Sequence, residues 1–325
     1  MTQPGVRGEG LVGLPEIEGA AKRLQGIATP TPLLPSEVVS DAIGATVRLK
    51  CESLQRAGSF KIRGAFNFVS QLSDDQVSGG IITYSSGNHA QAVALAGKLR
   101  GLRVVVVMPT TAPKVKVEGA KRLGAEIEFE GTTSVERKTR AETIAEAEGL
   151  VIVPPFDHRH IIAGQGTVGY EIAKAWTDVD LVLAPIGGGG LASGVAAAVK
   201  RMVPGARVIG VEPEGAASMR AALDAGEPVK LDRIDTIADG LAPVIAGALT
   251  FEHARDLMDD VVTVTDDAIL EATKLLVGRQ KLIVEFSGAA TTAALLSGRV
   301  DARDQRVAVV ISGGNLDPSL MPQLF

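Results

Sequence analysis

The sequence predicts an α/β protein in which mostly parallel sheets are flanked by helices. From residue 80 onward, short apolar runs alternate with helical patterns, which is the order that parallel strands with crossover helices require. Residues 104–107 are four consecutive valines, as expected for a strand that is buried on both faces. Clusters of Gly and Pro follow the apolar runs, at the strand ends where open α/β sheets bind ligands.

Each element follows from the same patterns. The first predicted strand ends near Ser85, and the later strands are expected at 103–109, 125–131, 150–156, 180–186, 207–213, 261–265 and 306–312. Helical periodicity predicts helices at 88–99, 114–123, 134–148, 163–175 and 191–201, one that starts near Asp266 and one after Ser287. The chain has 325 residues, enough for a sizeable core and for two domains.

Composition narrows the classes of partner. The 33 basic and 38 acidic residues are interspersed and give a net charge of −5, so no basic surface for nucleic acid is expected. No apolar run approaches the ~20 residues of a membrane span, and MTQPGVRGEG lacks the pattern of a secretory signal. Cys51 is the only cysteine, which suits a reducing compartment. We expect a cytoplasmic protein whose partners include neither nucleic acid nor membrane.

The segment from Ser59 to Ala65, SFKIRGA, contains a candidate nucleophile in Lys61. Taken alone, the segment is a turn that enters a helix, and a solvated helix start is the simpler interpretation. A lysine amine is nucleophilic only when it is neutral, which requires burial or a nearby cation. The apolar neighbours Phe60 and Ile62 could provide such a setting.

Two further segments follow predicted strands, and the first of them precedes a predicted helix. Small polar residues at 85–89, SSGNH, can present backbone N–H groups and hydroxyls to a carboxylate, although a capped helix start fits equally well. His89 could act as a general base, but a histidine at this position more often makes a local hydrogen bond. Ser312 ends the last apolar run and is a weaker candidate.

Four glycines at 187–190 form the clearest anion site. They let the backbone approach a ligand closely, and the following helix N-terminus adds about half a positive charge. The patterns of dinucleotide-binding and P-loop sites are absent. The segment therefore predicts a phosphate cradle, with a plain tight turn as the alternative.

These signals occur together in a specific order. LKCESLQRAGSFKIRGA, SSGNHAQ, GQGT, GGGGL, VEP, EFSGA and SGGN follow one another between about Thr31 and Asn315. The set resembles the pyridoxal-phosphate (PLP) dependent serine/threonine dehydratase and serine racemase family, of the tryptophan-synthase-β fold type (fold type II). The resemblance implies PLP in a cleft between two α/β domains, a large one at 1–78 and 156–325 and a small one at 79–155.

The resemblance also implies roles for individual residues. Lys61 would carry PLP as a Schiff base and act as the base at the substrate Cα. Asn88 would contact the ring hydroxyl, and Ser312 the pyridine nitrogen, where a neutral hydroxyl makes the ring a weaker electron sink. The implied cofactor-binding set is Phe60, Lys61, Asn88, Gly187, Gly188, Gly189, Gly190, Leu191, Glu285 and Ser312.

The implied reaction is dehydration and deamination of L-threonine and/or L-serine to a 2-oxo acid and ammonia. Ser86 would face the opposite side of the substrate and exchange a proton there. Alternatives are a serine racemase, a dehydratase of another 3-hydroxy amino acid such as hydroxyaspartate, and a non-catalytic PLP-binding protein. The substrate carboxylate is expected on Ser85, Ser86, Gly87, Asn88 and His89.

A divalent cation and a homodimer are further implications of the resemblance. Some serine racemases bind a cation just after the VEP motif, where Glu212 matches one ligand and the Ala216 carbonyl a second. Ser218 stands where the other carboxylate belongs. Because a single carboxylate binds Mg²⁺ or Ca²⁺ weakly, the sequence leaves the cation open.

Overall fold

The computed structural model describes residues 10–85, 87–112 and 114–324. Its strands are β1 (Leu33–Pro35), β2 (Thr46–Cys51), β3 (Ile81–Tyr84), β4 (Val104–Met108), β5 (Glu126–Phe129), β6 (Val151–Ile152), β7 (Leu181–Pro185), β8 (Arg207–Pro213), β9 (Asp260–Val264) and β10 (Arg306–Ile311). Its helices are α1 (Leu14–Arg23), α2 (Glu37–Ile43), α3 (Lys61–Val69), α4 (Asn88–Arg100), α5 (Lys114–Arg122), α6 (Ser134–Glu148), α7 (Arg159–Ala175), α8 (Gly190–Met202), α9 (Ser218–Ala225), α10 (Ala248–Leu257), α11 (Asp266–Gly278) and α12 (Phe286–Leu296).

The strands form two sheets. A six-stranded sheet has the order β1-β2-β10-β7-β8-β9, and a four-stranded sheet has the order β5-β4-β3-β6. Among the described strand pairs, β1–β2 alone is antiparallel, and the described pairs in the four-stranded sheet are all parallel. The predicted α/β class with mostly parallel sheets is therefore confirmed.

Apolar runs form the cores of the two sheets. Every residue of β4 is buried, as are those of β7, which is the pattern of parallel strands covered on both faces.

Helices α7 and α8 cross closely beside the six-stranded sheet because glycines meet there. A Cβ on Gly194 would lie 2.4 Å from the backbone nitrogen of Gly166. This close packing fixes where α8 begins, and hence the glycine segment before it.

The structure departs from the sequence prediction in several places. The run at 150–156 gives only the short strand β6, because Pro154 and Pro155 cannot donate ladder hydrogen bonds. Helix α7 starts at Arg159 rather than Ala163, since the His158 side chain caps it by accepting from His160 N at 3.1 Å. The elements α1, β1, α2, β2, α9 and α10 were not predicted.

The topology gathers separate stretches of sequence at one place. Strands β3, β7 and β10 end at the segments that begin with Ser85, Ile186 and Ser312. The four-stranded sheet uses strands between residues 81 and 152, and the six-stranded sheet uses strands before and after them. The division into a small domain at 79–155 and a large domain at 1–78 and 156–325 stays a prediction.

Candidate active site

A cavity of about 690 Å³ lies where the three strand ends meet. The described residues of the predicted cofactor and carboxylate sets all line it: Phe60, Lys61, Ser85, Gly87, Asn88, His89, Gly187, Gly188, Gly189, Gly190, Leu191, Glu285 and Ser312. Ser86, a predicted catalytic and carboxylate-binding residue, lies outside the described residues. Residues from five distant sequence segments thus surround one space.

Backbone pairing brings Lys61 to the end of β10. Phe60 N donates to Ser312 O at 3.1 Å, and Gly314 N donates to Gly58 O at 2.8 Å. Ser59 and Gly313 form an antiparallel bridge between these two hydrogen bonds. The first residue of α3 is therefore fixed beside Ser312, although more than 250 residues separate them in sequence.

The Lys61 amine is buried and makes its hydrogen bond to a neutral carbonyl group. Its Nζ donates to the Pro155 carbonyl at 2.9 Å and lies 5.2 Å from the centroid of the Phe60 ring. Burial lowers the Lys61 pKa to about 8, against the opposing effect of the Glu285 charge. A useful fraction of the amine is consequently neutral and nucleophilic near physiological pH.

The glycine segment 187–190 fits an anion such as a phosphate. Gly189 has φ +94, and a Cβ on Gly188 would lie 2.2 Å from the Phe156 ring, so both positions require glycine. Within the described chain, no acceptor takes the backbone N–H groups of Gly188 and Gly189. Helix α8 begins at Gly190 and directs its positive end at the cavity.

An amide and carboxylate cluster orients Asn88. Its Nδ2 donates to Glu285 Oε1 at 2.6 Å, and its Oδ1 accepts from Asn315 Nδ2 at 2.7 Å. Burial raises the Glu285 pKa to about 7 and the Asp239 charge adds to this, while the Asn88 hydrogen bond opposes the rise. Asn88 is therefore fixed in one rotamer with its amide at the cavity wall.

Ser312 lines the cavity as well. The residue is 3% exposed, and among the described residues its Oγ makes only a long contact of 3.5 Å to Ser287 O. A hydroxyl so weakly engaged can donate to a neutral pyridine nitrogen. The residues present thus fit each polar part of PLP: aldehyde, phosphate, ring hydroxyl and ring nitrogen.

His89 is buried in the cavity wall, where its Nε2 lies 3.1 Å from Val153 O. Burial, together with the Lys61 charge, lowers its pKa to about 3. The imidazole therefore stays neutral, and so weak a base argues against the general-base role. Its buried Nδ1 has no partner among the described residues.

Other cavity residues were missed by the sequence prediction. Arg137 on α6 donates from Nη1 to Thr132 O at 3.3 Å, and its buried Nε has no partner in the described part of the chain. Lys116 and Asp239 both line the cavity and form an ion pair with each other. Nothing in the charged pattern of α6 distinguishes Arg137 from neighbouring Lys138, so only the structure identifies it.

The predicted cation ligands lie away from this cavity. Glu212 is fully buried, and its two carboxylate oxygens accept from Met219 N and Arg220 N, each at 2.8 Å. The buried Ser218 hydroxyl has no described partner. No group of three or more His, Cys, Asp or Glu in residues 10–85, 87–112 and 114–324 could hold a metal. The expectation of a cation at Glu212, Ala216 and Ser218 gains no support.

Of the helices in the part of the chain that is described, none has the length and apolar character needed to cross a bilayer.

Comparison with known proteins agrees with this geometry. The family model described as "Pyridoxal-phosphate dependent enzyme" matches residues 24–313. An L-threonine ammonia-lyase from Thermotoga maritima is 40% identical over 315 residues, covering 97% of this chain and 78% of that protein. A serine racemase from Schizosaccharomyces pombe is 38% identical over 302 residues, covering 93% of this chain and 94% of that protein. The structure of maize serine racemase matches with a TM-score of 0.92 at 39% identity, covering 96% of each chain.

Proposed function

We propose that this chain, which belongs to the family of pyridoxal-phosphate dependent enzymes, dehydrates and deaminates L-threonine and/or L-serine to a 2-oxo acid and ammonia. The observation that carries the proposal is the meeting of Lys61, the glycine segment and Ser312 in one cavity. The similarity to an L-threonine ammonia-lyase and to serine racemases supports the substrate class.

The cofactor-binding roles follow from the contacts. Lys61 Nζ would hold the aldehyde carbon, and the N–H groups of Gly188 and Gly189 would hold the phosphate at the N-terminus of α8. Asn88 would donate to the ring hydroxyl and Ser312 to the ring nitrogen. When bound, pyridoxal phosphate supplies a conjugated ring that withdraws electrons from the substrate Cα.

Proton transfer at Cα is the task of Lys61. Once its amine is free, a pKa of about 8 matches a base that works near neutral pH. Nζ would take the proton from Cα and, as the ammonium, would pass a proton to the β-hydroxyl, which leaves as water. The Pro155 carbonyl, 2.9 Å from Nζ, would accept a hydrogen bond from the ammonium formed. We also propose that Ser86 exchanges a proton at the opposite face of the substrate.

The substrate carboxylate would bind where α4 begins. Gly87 N lies 3.3 Å from Ser85 Oγ, and the first amides of the helix at Asn88 and His89 point along its positive end. The neutral His89 ring adds no charge, so the helix dipole and the hydroxyls would bind the carboxylate. This arrangement leaves the substrate side chain directed at the remaining cavity wall.

Arg137 favours a second candidate substrate, a 3-hydroxy amino acid with a side-chain carboxylate such as hydroxyaspartate. Arg137 lines the cavity, and burial lowers its pKa, as expected for a cation whose charge is not fully compensated. Lys116 and Lys138, by contrast, are paired with Asp239 and Glu142. A carboxylate on the substrate would complete the Arg137 site.

One experiment tests the function and ranks the substrates. Purified enzyme with PLP is given L-threonine, L-serine or L-threo-3-hydroxyaspartate, and both 2-oxo acid and D-isomer are quantified. We expect 2-oxo acid from threonine or serine as the main product. D-serine in excess of 2-oxo acid would overturn dehydration in favour of racemisation. Arg137→Met should lower kcat/KM for hydroxyaspartate more than for threonine if the second candidate holds.

We also propose that the enzyme is a cytoplasmic homodimer of two-domain subunits, with the small domain at 79–155 closing over substrate. The resemblance to the family and the single, buried Cys51 support this proposal. Sedimentation equilibrium tests the dimer. Hydrogen exchange that is equal with and without substrate across residues 80–155 would count against closure.

A further inference from the structure

Thr250 on α10 contacts the glycine segment 187–190. The Thr250 side chain is fully buried, and its Oγ1 lies 2.7 Å from the Gly188 carbonyl oxygen. A Cβ on Gly189 would lie 2.7 Å from the Thr250 Cβ, so the two elements are in direct contact. Gly188 and Gly189 line the cavity, whereas Thr250 packs on their other side.

The Thr250 hydroxyl has one proton and two neighbouring carbonyl oxygens. Gly247 O lies 3.1 Å away, but it already accepts from Phe251 N at 2.9 Å. Gly188 O has no other donor among the described residues, and a buried carbonyl without a donor is costly. The Thr250 hydroxyl therefore donates its proton to the Gly188 carbonyl oxygen, which is the nearer of the two.

The consequence lies in the peptide bond between Gly188 and Gly189. This bond is trans, so its C=O and N–H point in opposite directions. With the oxygen held by Thr250, the Gly189 N–H is directed away from α10 and towards the cavity. Glycines on both sides make this peptide free to rotate when nothing holds it. We propose that Thr250 is a positioning residue that orients this N–H for the phosphate of the cofactor.

Asp157 fixes Thr250 in turn. Its carboxylate accepts from three amides at the start of α10: Ala248 N at 3.0 Å, Leu249 N at 3.0 Å and Thr250 N at 3.2 Å. Phe156, the preceding residue, packs on Gly188. A single segment after β6 thus anchors both the helix that carries Thr250 and the glycine segment that Thr250 holds.

The inference rests on the proposed binding of PLP, and a comparison of two ligands tests it. Dissociation constants for PLP and for pyridoxal, which lacks the phosphate, are measured by absorbance with apoenzyme of the wild type and of Thr250→Val. Valine keeps the shape and removes the hydroxyl. We expect Thr250→Val to raise the Kd of PLP at least about tenfold and to change the Kd of pyridoxal less than about twofold.

Two further variants keep the test decisive. Thr250→Ser retains the hydroxyl and should bind PLP within about threefold of the wild type. Thr273→Val removes an equally buried hydroxyl on α11 that bonds Ile269 O at 2.8 Å, and should leave both constants unchanged.

The outcomes separate the two claims. Equal losses for PLP and pyridoxal, or wild-type PLP affinity in Thr250→Val, would overturn the role of Thr250 alone. If Thr250→Val does not fold, loss of PLP affinity in Thr250→Ser beyond threefold would overturn it as well. Wild-type protein that binds neither ligand would instead overturn the proposed function.

Discussion

Lys61 and Arg63 both lie on the first turn of α3, but their buried side chains have opposite electrostatic environments. Arg63 is 1% exposed and binds Glu52 through Nε and Nη2, each at 2.8 Å. It also contacts Glu171 at 2.6 Å. Burial disfavours both charged forms, yet the pairing raises the Arg63 pKa and lowers the Glu52 pKa. This cluster is fully ionised and fully paired.

Lys61, two residues earlier, has the opposite environment. It donates to a neutral carbonyl, and burial lowers its pKa to about 8. Nearby, the Glu285 pKa is raised to about 7 and the His89 pKa is lowered to about 3, in each case chiefly by burial. All three groups are shifted towards their neutral forms, and all three line the cavity.

The difference between these two environments distinguishes residues that stabilise the fold from residues that are available for chemistry. The ion pairs of Arg63 hold α3 against α7 and against the turn that follows β2, and these paired charges are not free to bind a ligand. Groups whose pKa values are shifted towards neutrality can exchange protons or attack a carbonyl carbon. Substitution of Lys61 should therefore mainly reduce activity, whereas substitution of Arg63 should mainly reduce stability.

The largest effect is expected from Lys61→Ala. Without the amine, the enzyme should lose activity by roughly a thousandfold or more, and PLP should no longer attach covalently. The free energy of unfolding should stay near the wild-type value, because no ion pair is lost. Steady-state kinetics and denaturant titration of the same preparation check this, and a folded variant with wild-type turnover would contradict it.

Arg63→Met should act on stability. Removing one member of a buried ion pair leaves the other charge uncompensated, so the free energy of unfolding should fall by about 3–5 kcal/mol. Urea denaturation of the apoenzyme measures this, with Lys61→Met as the matched control at the neighbouring position. A fall below about 1 kcal/mol would show that the Glu52 and Glu171 contacts are not structural.

At this helix the sequence indicated a cavity residue more readily than it indicated the buried ion pairs. SFKIRGA and its place among the other motifs pointed to Lys61, which lines the cavity, whereas the partners of Arg63 lie just after β2 and on α7 and depend on packing. Fully buried strands such as β4 were predicted because consecutive valines strongly favour a strand. The contacts of Asp157, Arg137 and Thr250 could not be predicted, since each joins segments that are distant in sequence or depends on the direction of a single side chain.

The pH dependence of PLP capture by the apoenzyme should report the Lys61 pKa. Only the neutral amine attacks the aldehyde, so the second-order rate should rise with pH through a midpoint near 8 and level off above it. Stopped-flow absorbance at a series of pH values gives the midpoint. A rise that continues towards the ordinary lysine pKa near 10.4 would mean that the amine is solvated.

A smaller effect is expected from Glu285→Gln. The Glu285 carboxylate raises the Lys61 pKa, so removing its charge should move the midpoint of the capture rate to lower pH, by about one unit or less. Glutamine keeps an acceptor for the Asn88 amide. Glu128→Gln, an exposed carboxylate on β5, serves as the control and should not move the midpoint. A shift to higher pH would contradict the stated electrostatics.

The most direct test of the central claim is reduction of the PLP-loaded enzyme with borohydride, followed by proteolysis and mass spectrometry. The account predicts one pyridoxyl-phosphate group per chain, on the peptide that contains Lys61, and none in Lys61→Ala. Modification at another lysine in the wild type, or equal labelling of the variant, would contradict it.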